Sequence, residues 1–240
     1  MYANASFVGA RTPEEFAAAG RKTVKLGVTA LKWDPFGKAH MTLGNGELER
    51  ASAIVGAVRD AVGPETDLLI ECHGRFNGYT ALRIARELEQ YNIMLMEEPC
   101  PPDNLSVLAE IRSRSPVPIS AGERIYTIFH TGGIFESKKI AAMAEAKHIP
   151  VSFHNPSGPV SNAAILQLAA CTPNFLIHEI MLTDGSFRKR ITNECVEFEN
   201  GFLRIPDRPG LGIDVQESVL AEYPPKPRNL RHYTGDLTDI

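Results

Sequence analysis

Short apolar runs alternate with longer stretches of helical periodicity along most of this chain. Tyr2 to Val8 reads as a first extended stretch. Val28-Thr-Ala-Leu-Lys-Trp33, Asp67-Leu-Leu-Ile-Glu71, Ile93-Met-Leu-Met96, Val117-Pro-Ile-Ser120, Val151-Ser-Phe-His154 and Asn174-Phe-Leu-Ile-His-Glu179 read as strands. Continuous apolar runs, rather than strict alternation, are what strands buried on both faces require. Between them the pattern predicts helices from Thr12 to near Gly27, Glu47 to Val62, Thr80 to about Tyr91, Leu105 to Arg114, Ile134 to Lys147 and Ala163 to Cys171. Thr12 can cap the first of these, Pro13 suits its first position, and Glu14 and Glu15 favour its first turn. In the second, Ala51, Ile54, Val55, Val58 and Val62 recur at helical spacing before Gly63 ends it.

Strands alternating with helices argue for βαβ units and a parallel sheet. A closed barrel and an open doubly wound sheet are the two candidates. No GxGxxG follows the first strand, which weakens the dinucleotide-binding version. The expectation is therefore an α/β fold, a TIM-like (β/α) barrel over residues 1–187. A segment over 188–240, richer in proline and glycine, is expected to pack on it.

Composition narrows the class. The 240 residues are 43% hydrophobic and 22% charged, as in an ordinary globular protein with one large core. The net charge of −4 gives no reason to expect nucleic acid or an anionic membrane as a partner. No apolar run is long enough to span a bilayer. Met1 to Phe7 lacks a basic stretch followed by an apolar core, so no signal peptide is expected. Cys72, Cys100, Cys171 and Cys195 form no CxxC pair, which fits reduced thiols in a cytoplasmic enzyme.

Three glutamates carry the strongest chemical signal. Glu71, Glu97 and Glu123 stand 26 residues apart, each at or just after a predicted strand. Barrel active sites form at the C-terminal strand ends, so these acids should converge at one rim. Hard divalent cations bind through oxygen ligands of this kind. Alternation along a strand puts Glu71 and His73 on one side and Cys72 on the other. It also lets only one of Glu97 and Glu98 enter the site, and Glu97 keeps the spacing. Lys32 and Asp34 share a face that Trp33 does not, and Lys32 reads equally well as a counter-ion to nearby carboxylates. His154 and Glu179 end two further strands, with His178 facing the helix layer.

Ile70-Glu71-Cys72-His73-Gly74-Arg75-Phe76, Met96-Glu97-Glu98-Pro99, Ala121-Gly122-Glu123-Arg124 and His154-Asn-Pro-Ser-Gly-Pro159 resemble the enolase superfamily. They are most similar to its mandelate-racemase subgroup and, within it, to galactonate-dehydratase-like acid-sugar dehydratases. Pro206-Asp-Arg-Pro-Gly-Leu-Gly-Ile213 resembles that family's closing segment. The resemblance implies Mg²⁺ held by Glu71, Glu97 and Glu123, although most relatives carry aspartate at the first position. It implies that His154 is the general base and His73 the general acid. Glu179 resembles the acid that hydrogen-bonds the substrate carboxylate, and Lys32, Asp34 and Arg75 are expected to bind substrate. The racemases place a base lysine where this chain has Asp34, which argues for dehydration of a sugar acid over racemisation or epimerisation. Relatives commonly assemble through their barrels, so a homo-oligomer is expected.

Two family features are expected to be missing. One is the N-terminal α+β capping domain. The other is a helix and strand between His130 and Thr131, whose aspartate normally orients the base histidine, and the sequence shows no visible replacement. Seven strands where eight normally close the barrel would leave it gapped or distorted. An inactive shortened remnant is thus a further reading.

Overall fold

The computed structural model describes residues 1–123, 133–181, 189–193 and 198–224. The chain divides into two compact units, Tyr2–Thr131 and Gly132–Ile240 together with Met1. The proposed junction between His130 and Thr131 lies outside the described residues, as do Arg124 and Cys195.

The first unit is a five-stranded parallel sheet with helices between successive strands. Its elements are β1 (Tyr2–Asn4), α1 (Pro13–Val24), β2 (Ala30–Trp33), α2 (Asn45–Val62), β3 (Asp67–Glu71), α3 (Gly78–Leu88), β4 (Leu95–Glu97), α4 (Leu105–Arg114) and β5 (Ile119–Ser120). The strands lie side by side in chain order, each parallel to the next. Leu31, Leu68, Leu69, Ile70 and Met96 are all buried, which accounts for the continuous apolar runs in the sequence.

Local chemistry explains both the agreements and the shifts in boundary. At α1 the Thr12 Oγ1 accepts from the Glu15 amide (3.3 Å) while Glu15 Oε2 accepts from the Thr12 amide (3.1 Å), a reciprocal cap just before Pro13. Phe16, Ala17, Gly20 and Thr23 form its buried face. Gly20 lets α1 approach α2 closely, because a Cβ there would stand 3.1 Å from Val62 Cγ1 and 3.4 Å from Val58 Cγ1. β1 is shorter than expected because Asn4 Oδ1 accepts from the Ala5 amide at 2.6 Å and Ala5 takes a φ of 60°, turning the chain out of the sheet. α3 stops at Leu88 and tightens into a 3₁₀ turn, Glu89–Tyr91, closed by Asn92 in the left-handed conformation.

In the second unit, α5 (Gly133–Glu145), β6 (Val151–Phe153), α6 (Pro159–Ala170) and β7 (Phe175–Met181) continue the alternation, with β6 and β7 parallel. Phe153, Ile165 and Leu168 form its core, with Phe175 stacked on Phe153 at 5.7 Å. α6 begins four residues before the expected Ala163, because Pro159 serves as a first helical residue rather than a loop residue. The unit also holds the segment from residue 188 on, where β8 (Phe198–Glu199) and β9 (Phe202–Leu203) form an antiparallel hairpin. Its two-residue turn is Asn200-Gly201, both at positive φ. That Asn-Gly pair is a hairpin signal the sequence reading passed over.

Candidate metal and proton-transfer residues

The parallel register of the first unit sets out the acids. Glu71 pairs with Glu97 across β3 and β4, and Lys32 pairs with Leu69, two residues before Glu71. Lys32, Glu71 and Glu97 therefore emerge on one face of the sheet. The spacing of 26 residues between the first two glutamates is thus a register match. Between the second and third it is not, because Glu97 pairs with Ser120, and Glu123 stands past the end of β5. Glu123 still returns to the group: carboxylate oxygens of Glu97 and Glu123 lie within 4.8 Å of one another.

A single buried ammonium bridges the first two acids. Lys32 is 1% exposed, and its Nζ lies 2.7 Å from Glu71 Oε2 and 2.8 Å from Glu97 Oε2. Burial pushes the Glu97 carboxyl up to about 7; Lys32 opposes that shift, while Glu71 and Glu123 add to it. The donor set fits a hard divalent cation. Two buried carboxylates share one ammonium and Glu123 lies within reach of the second; burial first, and then the neighbouring carboxylates, raise the Glu97 carboxyl. Glu98 Oε1 accepts from the Gly122 amide at 2.6 Å and so braces the chain that carries Glu123.

His73 reaches Glu71 by a different route from the one expected. β3 ends at Glu71, and His73 and Gly74 take φ values of 53° and 64°, so strand alternation no longer applies. The turn is fixed to β4 by the Cys72 amide on Glu97 O (3.0 Å) and the Gly74 amide on Glu98 O (2.7 Å). The His73 amide then donates to Glu71 Oε1 at 2.7 Å. Its ring Nδ1 lies 2.9 Å from Asp34 Oδ2, which also accepts from Arg75 Nη2 at 2.5 Å. Asp34 Oδ1 accepts from the Phe36 amide at 2.8 Å. Arg75 is 3% exposed, and donates as well to Cys72 O through Nε (3.1 Å) and to Gly37 O through Nη1 (2.8 Å). Trp33, on the opposite face, packs on Phe7 with ring centroids 4.9 Å apart.

The second unit holds His154 and Glu179. The sequence shows no carboxylate beside His154, yet the structure puts one there. Glu179 Oε2 lies 2.9 Å from His154 Nδ1 and accepts from the Asn155 amide at 2.6 Å, with Glu179 fully buried. A polar cluster lies in the same unit: the Asn155 side-chain amide donates to Asn162 Oδ1, which also lies 3.2 Å from His178 Nε2. His178 thus faces α6 as alternation requires. Burial pushes its imidazole down to about 4, against an opposing pull from Glu179. Asn155 and Asn162 were missed in the sequence. Asn155 stands inside the quoted His154-Asn-Pro motif, whereas Asn162 has no local signal.

The comparisons with known proteins bear on these residues as a set. The sequence model of the enolase C-terminal domain-like family matches residues 15–131 and 127–219. Its two stretches meet where the sequence reading expects a helix and strand to be missing. D-gluconate dehydratase of Thermoproteus tenax is 34% identical, over 96% of this chain and 50% of that protein. D-xylonate dehydratase of Haloferax volcanii is 34% identical, over 84% of this chain and 55% of that protein. The chain spans about half the length of these two curated relatives. The crystal structure of a mandelate racemase/muconate lactonizing enzyme from Jannaschia superposes with a TM-score of 0.86 at 31% identity, over 95% of this chain and 66% of that one. The expected fold is borne out, and the chain belongs to the enolase C-terminal domain-like family, with acid-sugar dehydratases among its relatives.

Proposed function

We propose that this protein takes part in Mg²⁺-dependent dehydration of a sugar acid, an aldonate, to a 2-keto-3-deoxy acid. The observation that carries the reading is the pair of buried carboxylates, Glu71 and Glu97, bridged by one ammonium, with the Glu123 carboxylate within 4.8 Å of that of Glu97 and a histidine paired to a carboxylate in the same unit. The names of its relatives, dehydratases of gluconate and xylonate, supply the substrate class.

Glu71, Glu97 and Glu123 would hold the ion. When bound, Mg²⁺ supplies positive charge for the anion that forms as the proton α to the carboxylate leaves. Lys32 balances the remaining carboxylate charge from within the sheet. His154 takes the α-proton, a role that rests on its resemblance to the family's base. His73 gives a proton to the departing β-hydroxyl, which leaves as water, and the resulting enol becomes the 2-keto acid. Each well-placed electrostatic group is worth about 3–4 kcal/mol, and each acid or base contributes typically ~10²–10⁴-fold. The partner is then a small-molecule acid, and the setting is a cytoplasmic homo-oligomer.

Asp34 stands where racemases carry a base lysine, and its carboxylate is engaged by His73, Arg75 and Phe36. That arrangement favours dehydration over two-base racemisation. Incubating the chain with an aldonate library and Mg²⁺ tests the reading, with 2-keto acid as the expected product. Exchange of the α-hydrogen in D₂O without keto acid would point to an epimerase, and absence of both would remove the reading.

A further inference from the structure

The sequence reading assigns Asp34 and Arg75 to the substrate, but the structure engages their polar atoms with each other and with His73. All three guanidinium nitrogens of Arg75 donate to protein acceptors, on Cys72, Gly37 and Asp34, and the side chain is buried. Asp34 takes three donors on two oxygens: the Phe36 amide on Oδ1, and Arg75 with His73 on Oδ2. An ionised carboxylate only accepts hydrogen bonds, so the His73 nitrogen facing it has to bring the hydrogen. The ring is thereby held at its Nδ1 edge, while its backbone is held by the bonds of the turn and by its own amide on Glu71.

We propose that Asp34, braced by Arg75, is a positioning residue for His73: it keeps a hydrogen on Nδ1 and leaves Nε2 as the nitrogen that exchanges a proton with the substrate. This rests on the assignment of His73 as proton donor in the proposed dehydration. As the C–O bond breaks, its electron pair leaves with the hydroxyl, which takes the Nε2 proton and departs as water. The Nδ1 hydrogen stays on the ring, donated to Asp34 Oδ2, and solvent restores the proton to Nε2 before the next turnover.

The donor pattern also says why a carboxylate stands here. An asparagine has one acceptor oxygen, so it would turn its NH₂ either on the Phe36 amide or on Arg75 and His73. In the second case it donates to Nδ1 and drives the hydrogen to Nε2, the wrong tautomer for this role.

Two-bond ¹H–¹⁵N spectra of the histidine-labelled full chain test the proposal, with the His73 ring identified as the signals missing from His73→Gln. In the native chain Nδ1 should carry hydrogen. In Asp34→Ala the ring should relax to the mixture of free imidazole, in which Nε2–H predominates. Asp34→Leu, which keeps roughly the volume and offers Nδ1 no acceptor, provides the same reading should the alanine variant not fold. With substrate, kcat should fall about 10²-fold or more at nearly constant KM. A bare Nδ1 in the native chain, an unchanged ring in both variants, or a raised KM with intact kcat would overturn the proposal. If the native chain turns over no aldonate, the dehydratase reading falls, while the nitrogen spectra still decide the positioning role.

Discussion

Glu97 has the most exacting environment of the candidate ligands, because it is buried beside another acid with one lysine between them. Its raised carboxyl makes a neutral replacement inexpensive in the metal-free chain, so Glu97→Gln should fold with native or slightly higher stability. At Mg²⁺ about a hundredfold above its Kd, the native chain should gain about 2.7 kcal/mol, a rise in Tm of roughly 5–10 °C for this size. The variant should lose most of that rise, and equal shifts in both chains would show that Glu97 does not hold the ion. Lys32→Met leaves two buried carboxylates without their shared ammonium, and should cost about 3–5 kcal/mol in a urea titration. Much at this scale was legible in the sequence: period-two alternation puts Lys32, Glu71 and Glu97 on one face once the strands are placed. The pairing of His73 with Asp34 was not, because 39 residues separate them and a turn at positive φ, not a strand, delivers the ring.

At the scale of elements, caps and close approaches carry the local stability. Removing the reciprocal cap of α1 with Thr12→Ala should cost about 1 kcal/mol, measurable as a shift in the unfolding midpoint. Gly20→Val puts atoms where Val58 and Val62 already stand, and should cost about 1–3 kcal/mol by overpacking α1 against α2. The same denaturation series, read with Gly56→Ala, whose Cβ would stand 3.0 Å from Tyr91 Cε1, reports whether α2 tolerates such contact elsewhere. Helices were read well from sequence because apolar period and capping chemistry are local. Strand ends were read less well. β1 ends early on an Asn4 contact to its own neighbour, and β5 is only Ile119–Ser120, so the chain reaches Glu123 outside regular structure.

At the scale of the molecule, two buried groups pull the response to acid in opposite directions: the native Glu97 carboxyl, raised to about 7, takes up its proton before the unfolded chain does and so gains stability as the pH falls, whereas His178 loses it. His178 has an imidazole held down at about 4 against an ordinary 6.5, so between those values the unfolded chain binds a proton that the native chain refuses. Stability contributed by the neutral ring is complete above about pH 6.5 and falls as the pH drops toward 4. Between pH 6.5 and 5 the part due to His178 alone should be a loss of about 2 kcal/mol. His178→Gln, which retains a donor for Asn162, should remove that part, so the native and variant unfolding free energies should differ progressively as the pH falls from 6.5 to 5. Among the described residues no helix is long and apolar enough to cross a membrane, and Cys72, Cys100 and Cys171 are free thiols, the first two buried.

By itself the sequence determined the alternation of strands and helices, the parallel sheet, and the acids at its strand ends. These follow from periodicity and from the one-residue step that reverses a side chain in a strand. Only the tertiary structure decided which atoms meet. It set Glu71 beside Glu97 through strand register, put Lys32 between them, carried Glu179 to His154, and closed Asp34 and Arg75 around His73. Contacts of that kind join residues far apart in the chain, and their donors and acceptors are matched only when the strands and turns have come together.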